Sequence, residues 1–485
     1  MGEASDRDAP GGASGDGGTA VADRPVAQAA PAPRWRWWPW LAMVAVGAAL
    51  WGFWWWSQTL APLGWGYFAR RPIYGVFIPL WDALALWVIP AGVLLAGLGW
   101  MVSSWRRLPA AAALLLVVLA GLATATAVAL VRGDPEDLTR GISTHRNAPY
   151  YTSDLHFVYE YRLRGFVERH PELSERFHSY NSRTHPAGVF VFLFLLFKIF
   201  GSAQKLWIAV TIALIAFTAA VATWLIGRTL GGERAGRIGA VLFAASPGPL
   251  MLAYSNLDTI FAVPMALSVA LFMLAVHRRS APIAAAAGAV LGVGTLMTFA
   301  TSFVVIAAVV AVLVQCGWRT GGRLLAAAAG GGVAVLALAW LVLGMNVFAS
   351  YLVSPRVSGY STTYWMVGSP AAWLMYAGLP LAALGVVGLF RKVPGARRPV
   401  LVTVLVLFMV LWAALPSELT KLRPGEVERT WAFLYPLVAA TAGLVVDRWT
   451  AGFRRPWARG AVVAVLVLLS VGQAVLIQGF YHNFF

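Results

Sequence analysis

The chain has 485 residues, of which 59% are hydrophobic and only 12% are charged, and its mean hydropathy is +0.71. Apolar runs of about 20 residues recur along it, which excludes a soluble globular protein and indicates a polytopic helical membrane protein. The formal net charge of +17 does not indicate nucleic-acid binding, because the basic residues form short clusters between apolar runs, as orientation signals do.

The amino-terminal region predicts a disordered tail. Residues 1–33 are rich in Gly, Ala, Asp and Pro, and they carry too little apolar mass to fold. The first hydrophobic run begins too far into the chain and continues too long for a cleavable signal peptide. We expect a cytoplasmic tail at 1–33, two additional spanning helices at 34–108, and the main transmembrane domain at 109–485, with a long outer loop at 132–205.

Hydropathy predicts an all-α fold with about thirteen spanning helices. They are expected near 38–58, 76–103, 109–131, 206–226, 237–254, 257–276, 281–299, 301–317, 324–348, 372–391, 398–415, 431–447 and 459–478. Most basic clusters between them then fall on one side, which the positive-inside bias makes cytoplasmic. This predicts a multi-pass protein of the plasma membrane whose amino terminus is cytoplasmic.

The stretch FHSYNSRTHPAGVFVFLFLLFKIFG at 177–201 joins a polar cluster to a short apolar segment. The apolar half has about 15 residues, whereas a spanning helix needs roughly 20. If this half crossed the membrane, every later basic cluster would change sides. We therefore expect residues 186–200 to dip into the outer leaflet or to lie along it. This segment would hold the polar cluster, and the juxtamembrane helices of the long outer loop, at the membrane surface.

The first outer loop carries most of the chemistry-bearing side chains. Residues 132–185 hold eight of the twenty acidic residues and five of the seven histidines, so an outward-facing carboxylate must come mainly from here. Asp134 follows a spanning helix in a turn-rich segment, where acids also serve a helix start. Asp154 stands in YYTSDLHF, among aromatic neighbours that favour partial desolvation.

The loop histidines do not predict a structural zinc site. Their positions show no short paired spacing, and the only cysteine, Cys316, cannot assist them or form an internal disulfide. An oxygen-ligated divalent metal ion on the loop carboxylates is left open.

A second polar outer loop lies at 416–436 and carries Lys421, Glu426 and Arg429. Two interpretations are open: a salt-bridged loop, or an anion site in which arginine binds phosphate through its planar fork of donors. Asp258 in AYSNLDTIF is open in the same way, as an acid at a helix start or as part of the site.

Three short motifs make the chain similar to a known superfamily. THPAG opens the short apolar segment, GRTLGGERAGR forms an inner loop, and SPGPLMLAYSNLD joins a helix pair. With the long acidic first outer loop, this plan resembles polyprenyl-phosphate-dependent glycosyltransferases of the GT-C superfamily, such as protein O-mannosyltransferases and aminoarabinose transferase-like proteins. The chain departs from that pattern in its two extra amino-terminal helices and in reading His-Pro-Ala rather than His-Pro-Pro.

The resemblance implies transfer of a sugar from a polyprenyl-phosphate donor to a hydroxyl of a glycan, lipid or protein acceptor in the cell envelope. A carboxylate would accept the hydroxyl's proton, and cations would stabilise the departing lipid phosphate. We assign the base to Asp154, with Asp134 as the alternative. The side chains assigned to substrate binding are Arg183, His185, Lys421, Glu426, Arg429 and Asp258.

Two other classes compete with this hypothesis. A transporter or lipid flippase would place ionisable residues near the bilayer midplane, whereas this chain concentrates them at the surface. A noncatalytic membrane scaffold is the third possibility. The sequence does not identify the sugar, the acceptor or the length of the lipid chain.

Overall fold

The computed structural model describes residues 37–60, 76–104, 108–142, 151–355, 362–415 and 427–482. Its first helices are α1 Trp38–Leu60, α2 Val88–Ser104, α3 Ala110–Ala129, α4 His156–Tyr161, α5 Leu163–Leu173, α6 Tyr180–Thr184, α7 Gly188–Phe200, α8 Lys205–Phe217, α9 Ala219–Gly231, α10 Glu233–Ala245 and α11 Pro247–Leu252. They are followed by α12 Asp258–Arg278, α13 Ala281–Thr295, α14 Thr301–Leu343, α15 Val347–Val353, α16 Thr362–Ala377, α17 Val386–Phe390, α18 Val400–Ala413, α19 Val427–Thr430, α20 Leu434–Ala451 and α21 Pro456–Phe480. The described strands, β1 Val76–Phe77 and β2 Tyr481–His482, form one short antiparallel pair.

The prediction of an all-α membrane protein is confirmed, but the count of thirteen spans is not. Among the described residues, and with α14 counted once, seven helices are long and apolar enough to cross a membrane, or eight if one bent pair forms a single span. Several predicted spans are helical but short: α13 has 15 residues and α18 has 14. A helix of 14 residues is about 21 Å long, which is less than the hydrocarbon thickness of about 30 Å.

One predicted helix, 372–391, is broken, and the expectation of a continuous span there is wrong. The pair Trp365–Ala377 and Leu381–Phe390 bends by 117°. Gly378 adopts φ +83° at the break, a conformation that glycine reaches without strain. Pro380 follows two residues later, and a proline cannot donate a hydrogen bond back into the preceding helix.

The hairpin predicted at 301–317 and 324–348 is present inside α14. Gly317 has φ 69° and ψ 176°, which is not helical. A β-carbon at Gly321 would lie 3.3 Å from the carbonyl oxygen of Val312, whereas nine residues of straight helix would separate them by about 13 Å. The chain therefore turns back at Gly317, and α14 consists of two packed helices.

Basic side chains gather at one end of the bundle, which we call the basic end. Arg234 donates to the carbonyl of Ser103 and to the carboxylate of Asp447, at 2.9 and 3.1 Å. The backbone N–H of Arg397 reaches the carbonyl of Leu230 at 2.9 Å. The contacts unite clusters that are far apart in sequence, as the predicted topology requires.

The opposite end, which we call the loop end, carries the short helices α4 to α7. The N–H of Gly141 donates to the carbonyl of Tyr254, and that of Gly188 to the carbonyl of Leu296. Helix α7 has 13 residues and begins at the loop end. Helices α8 and α9 then run from Lys205 towards the basic end, so the segment 186–200 does not traverse the bundle.

The segment after Asp154 forms two short helices rather than one continuous helix. Helices α4 and α5 are separated by Arg162, whose φ of 59° and ψ of 157° are not helical. Helix α5 nevertheless buries one apolar side against the bundle, because Phe166 and Val167 are at most 1% exposed.

The additional amino-terminal helices do not stand apart from the bundle. A β-carbon at Gly99 of α2 would meet Val241 of α10 at 3.1 Å and Val463 of α21 at 3.3 Å. The domain boundary at residue 108 therefore stays a prediction, and the tail 1–33 lies outside the described residues.

Candidate active site

A buried ion pair lies at the centre of the loop end. Arg429 Nη1 donates to Asp258 Oδ2 at 2.7 Å, and the two side chains are only 8% and 6% exposed. A pair this well removed from water is held by its mutual attraction, and removal of either partner leaves an uncompensated buried charge. The structure thus brings together two of the residues assigned to substrate binding, 171 positions apart.

His185 and Asn181 complete this cluster. Arg429 Nη2 lies 3.4 Å from Asn181 Oδ1, and His185 Nε2 lies 3.9 Å from Asp258 Oδ1. The ring of His185 packs edge-on against Tyr151, with centroids 5.4 Å apart. We name Asn181, His185, Asp258 and Arg429 the loop-end cluster.

The protonation of His185 follows from its surroundings. Burial lowers the pKa of His185, although the carboxylate of Asp258 acts in the opposite direction. Its Nδ1 lies 3.0 Å from the carbonyl oxygen of Asn181, which can only accept, so we assign the proton to Nδ1. Neutral His185 then presents a lone pair at Nε2 towards the interior of the cluster.

Local sequence places each member of the loop-end cluster. Asn256 Oδ1 accepts the N–H of Asp258 at 2.7 Å, which is the local bond that an asparagine side chain makes to the backbone two residues on. On the other side, the hydroxyl of Tyr435 donates to the carbonyl of Glu428 at 2.7 Å. Tyr435 is stacked on Trp373 with ring planes 9° apart. Both acid and arginine therefore project from segments fixed by buried neighbours.

Asp154 is bonded to the backbone at the start of α6, next to the loop-end cluster. Its Oδ1 accepts the backbone N–H of His178 at 2.7 Å, and its Oδ2 accepts that of Ser179 at 2.9 Å. The side chain is 0% exposed. These bonds satisfy backbone donors at the amino-terminal end of α6, the helix that carries Asn181. The geometry favours a positioning role for Asp154, and its assignment as the base stays a prediction.

Arg183 also binds its own loop. Its Nε and Nη2 donate to the carbonyl of Phe177 at 2.9 and 2.7 Å. Those bonds close the turn ahead of α6, and the structure shows no contact between Arg183 and the loop-end cluster. Its substrate-binding assignment stays a prediction, as do those of Lys421 and Glu426, which lie outside the described residues.

The acidic turn after α3 contains two different carboxylates. Asp134 is exposed, and its Oδ1 accepts the N–H of Glu136 at 2.8 Å. Asp137 is only 13% exposed and lies 3.6 Å from Arg140. Burial raises the pKa of Asp137, and the charge of Arg140 opposes that shift.

Asp137 lines a small cavity that sequence reasoning did not find. The cavity measures about 30 Å³, and Arg132, Tyr254 and Ser255 also form its wall. At roughly 10–15 Å³ for each water, it has room for a hydroxyl group or two waters. Two of its wall residues, Tyr254 and Ser255, precede Asp258 in the chain by four and three residues. The spacing of Asp137 and Arg140 could have indicated that these two side chains meet, because a 3₁₀ helix has three residues per turn and places them on one side.

Among the described ranges, no group of three or more His, Cys, Asp or Glu side chains is arranged to bind a metal ion. The described part of the site is therefore a set of carboxylates, an arginine and a histidine, suited to proton transfer and to binding an anion.

Comparisons with known proteins agree with this chemistry. Residues 184–345 match the family described as dolichyl-phosphate-mannose-protein mannosyltransferase, and this range contains His185 and Asp258. The match confirms the resemblance to GT-C glycosyltransferases that use polyprenyl-phosphate donors, and it supports a membrane glycosyltransferase with a lipid-linked donor. No curated protein matches the chain.

Solved structures show weaker likeness. ArnT from Cupriavidus metallidurans in the apo state is 15% identical, with a TM-score of 0.46, and the alignment covers 75% of this chain and 76% of that one. ArnT bound to undecaprenyl phosphate is 14% identical with a TM-score of 0.45, covering 75% and 77%. The apo oligosaccharyltransferase of Archaeoglobus fulgidus is 14% identical with a TM-score of 0.39, covering 76% and 57%.

Proposed function

We propose that the chain transfers a sugar from a polyprenyl-phosphate donor to an acceptor hydroxyl, with the loop end on the outer face of the plasma membrane. The observation that carries this proposal is the loop-end cluster: a buried arginine, held in place by a carboxylate and an amide beside a neutral histidine. Half of that cluster, His185 and Asp258, falls within the range that matches a mannosyltransferase family.

In this proposal Arg429 binds the phosphate of the lipid donor. Asp258 presets the direction of the guanidinium group through the 2.7 Å contact, so little reorganisation is needed when negative charge develops on the leaving phosphate. Arginine suits this role because its fork donates parallel hydrogen bonds to phosphate oxygens. His185 would add a hydrogen bond from Nε2 when that atom carries a proton.

The acceptor's proton requires a carboxylate near the same point. We propose Asp137 for this role, because it is the acid of the turn that lines a cavity, and the wall residues Tyr254 and Ser255 lie just before Asp258 in the chain. Its raised pKa makes it a better proton acceptor than an exposed acid. The sequence-based alternatives Asp134 and Asp154 are retained as competitors in the test described in the Discussion.

The transfer reaction can be tested directly. Purified protein would be incubated with a panel of radiolabelled polyprenyl-phosphate sugars and membrane acceptors, and labelled product would be separated from donor. We expect transfer from at least one lipid-phosphate sugar and none from the matching nucleotide sugar. Transfer from the nucleotide sugar alone would contradict a lipid donor. Movement of unchanged donor across proteoliposomes, without chemical transfer, would support the transporter hypothesis instead.

A further inference from the structure

A second cavity lies at the basic end, remote from the proposed reaction. It measures about 430 Å³, within the range of ligand sites, which is roughly 300–1,000 Å³. Four basic side chains contribute to its wall: His277, Arg279, Arg397 and Arg398. They come from the end of α12 and from the segment that precedes α18.

These cations have no carboxylate partner in the part of the chain that the structure describes. The carboxylates of the basic end are Glu233 and Asp447, and both bind other arginines. Glu233 contacts Arg237 at 2.7 Å and Asp447 contacts Arg234 at 3.1 Å. Burial lowers the pKa of Arg397, and no nearby carboxylate offsets the shift. The positive charge around this cavity is therefore uncompensated by the described protein.

Most of the remaining wall of the cavity is apolar, and Thr229 and Gln315 are its polar members. Leu230, Met273, Val276 and Leu401 line it from three different helices. A cavity lined by both cations and apolar side chains fits an amphiphile with an anionic head rather than a free anion. Basic pockets between membrane helices on the cytoplasmic side are known to bind acidic phospholipid head groups.

We infer that the cavity between α9, α12, α14 and α18 binds an anionic phospholipid of the cytoplasmic leaflet, with the phosphate on Arg397 and Arg398 and an acyl chain along Met273 and Leu401. This site lies at the opposite end of the bundle from the loop-end cluster. It therefore neither requires the proposed glycosyl transfer nor depends on it.

The chain contains a natural reporter for this site. Cys316 is the only cysteine of the sequence, is partly exposed, and lines the same cavity. The rate at which a maleimide labels the wild-type protein therefore reports on this cavity alone. No engineered cysteine is needed, and the full chain can be used in an uncharged detergent.

The labelling rate would be measured with added phosphatidylglycerol, phosphatidylcholine or inorganic phosphate. We expect phosphatidylglycerol to slow labelling, the other two to leave it unchanged, and the protection to weaken as salt screens the charges. Equal protection by phosphatidylcholine would show that the site does not select for the negative charge of the lipid. Equal protection by inorganic phosphate would show that the apolar wall is not used. Either result, or protection indifferent to salt, would overturn the inference.

A charge-removal variant sharpens the test. The double substitution Arg397→Gln and Arg398→Gln should lower the affinity for phosphatidylglycerol roughly thirtyfold. This follows from the attraction that each basic residue usually contributes at an anionic lipid surface. The matched control, Arg454→Gln with Arg455→Gln, removes the same charge from exposed positions at the same end outside the cavity. If both pairs weaken protection equally, general surface charge explains the effect and the site is not specific. If the first pair does not fold, the salt dependence of the wild-type protein still decides.

Discussion

At the scale of single residues, the ion pair of the loop-end cluster compensates two buried charges, and the proposed function gives it a chemical role as well. Arg429 and Asp258 are both nearly inaccessible to water, so each compensates the other's charge. Deleting either would destabilise the protein as well as impair the reaction, because a buried charge without its partner is costly. Substitutions that keep the charge and change the geometry are therefore the informative ones.

Arg429→Lys keeps the positive charge and removes the planar fork. We expect donor affinity to fall about tenfold, since one charged hydrogen bond contributes roughly 1.5–3 kcal/mol, and equilibrium binding of labelled donor would measure it. The matched control is Arg459→Lys, an arginine at the basic end that donates to the carbonyl of Phe453, where affinity should not change. Unaltered donor affinity in folded Arg429→Lys would place the phosphate elsewhere.

The three candidate bases are separated by one set of isosteric substitutions. Asp137→Asn should reduce turnover by about 10²–10⁴-fold, the usual contribution of a general base, while donor binding is retained. Asp134→Asn should have little effect, because that carboxylate is exposed and caps the turn. Turnover and donor affinity would be measured on the same preparations.

Asp154→Asn should lower the stability of the folded protein. Its amide group would face the N–H of Ser179, donor against donor, and the loss should be about 1–3 kcal/mol of unfolding free energy. The opposite pattern, with normal turnover in Asp137→Asn and abolished turnover in stable Asp154→Asn, would restore the assignment made from the sequence.

His170 gives the loop end a pH-dependent stability. Burial lowers the pKa of His170 to about 3, so the folded protein holds it neutral while the unfolded chain takes up a proton near pH 6.5. Stability from this residue is complete above about pH 6.5 and is lost as the pH falls towards 3, by up to about 1.4 kcal/mol per pH unit.

His170→Gln should therefore reduce the loss of stability between pH 7 and pH 5. Glutamine keeps a polar group near the hydroxyl of Ser350, which lies 3.2 Å from His170 Nδ1, but it does not titrate. Denaturant unfolding at the two pH values, with wild type and variant compared, measures the difference. Identical pH slopes would show that His170 does not contribute.

At the scale of elements, two short helices, α6 and α7, flank His185 of the loop-end cluster. Helix α6 has five residues and depends on Asp154 for its amino-terminal bonds. Helix α7 is placed by Gly188, whose N–H donates to the carbonyl of Leu296 at 3.0 Å. No side chain fits there, because a β-carbon at Gly188 would overlap that same carbonyl oxygen.

Gly188→Ala should displace α7, lower the melting temperature in detergent and reduce transfer activity. The control is Gly97→Ala in α2, where a β-carbon would meet nothing within 4 Å. That substitution should be neutral or slightly stabilising, since alanine is favoured over glycine in helices by about 1 kcal/mol. Equal melting temperatures for the two variants would contradict the close contact between Gly188 and Leu296.

At the scale of the whole molecule, charge is distributed between two ends. The basic end holds the clusters that predict a cytoplasmic orientation, while the loop end holds the loop-end cluster. The proposed sugar transfer lies at the loop end, whereas the inferred lipid site lies at the basic end. The orientation itself stays a prediction, because it depends on which side of a membrane each end occupies.

Thiol labelling in intact cells tests the orientation. In a Cys316→Ser background, Glu160→Cys places a thiol at the exposed loop end and Arg454→Cys places one at the exposed basic end. An impermeant reagent should label the first in intact cells and the second only after permeabilisation. The reverse pattern would invert the topology and move the proposed reaction to the cytoplasmic face.

The sequence by itself determined the membrane class, most helix positions, the hairpin at Gly317 and the short segment 186–200. These are local properties: hydropathy over about 20 residues, glycine and proline at breaks, and clustered charge each act within a short window. The break at Gly378 was missed because its neighbours are apolar on both sides, which hides the interruption from a hydropathy reading.

Only the tertiary structure decided which polar residues meet. Arg429 reaches Asp258 across 171 positions and Asp154 reaches Ser179 across 25, and no local pattern encodes such pairs. The sequence therefore assigned Asp258, His185 and Arg429 to one substrate site without indicating that Arg429 forms an ion pair with Asp258. The sequence suggested Asp154 as the base because its neighbours are aromatic and favour desolvation. In the fold the carboxylate is indeed buried, but it accepts hydrogen bonds from the backbone N–H groups of His178 and Ser179. Which carboxylate is bonded and which faces a cavity depends on long-range packing.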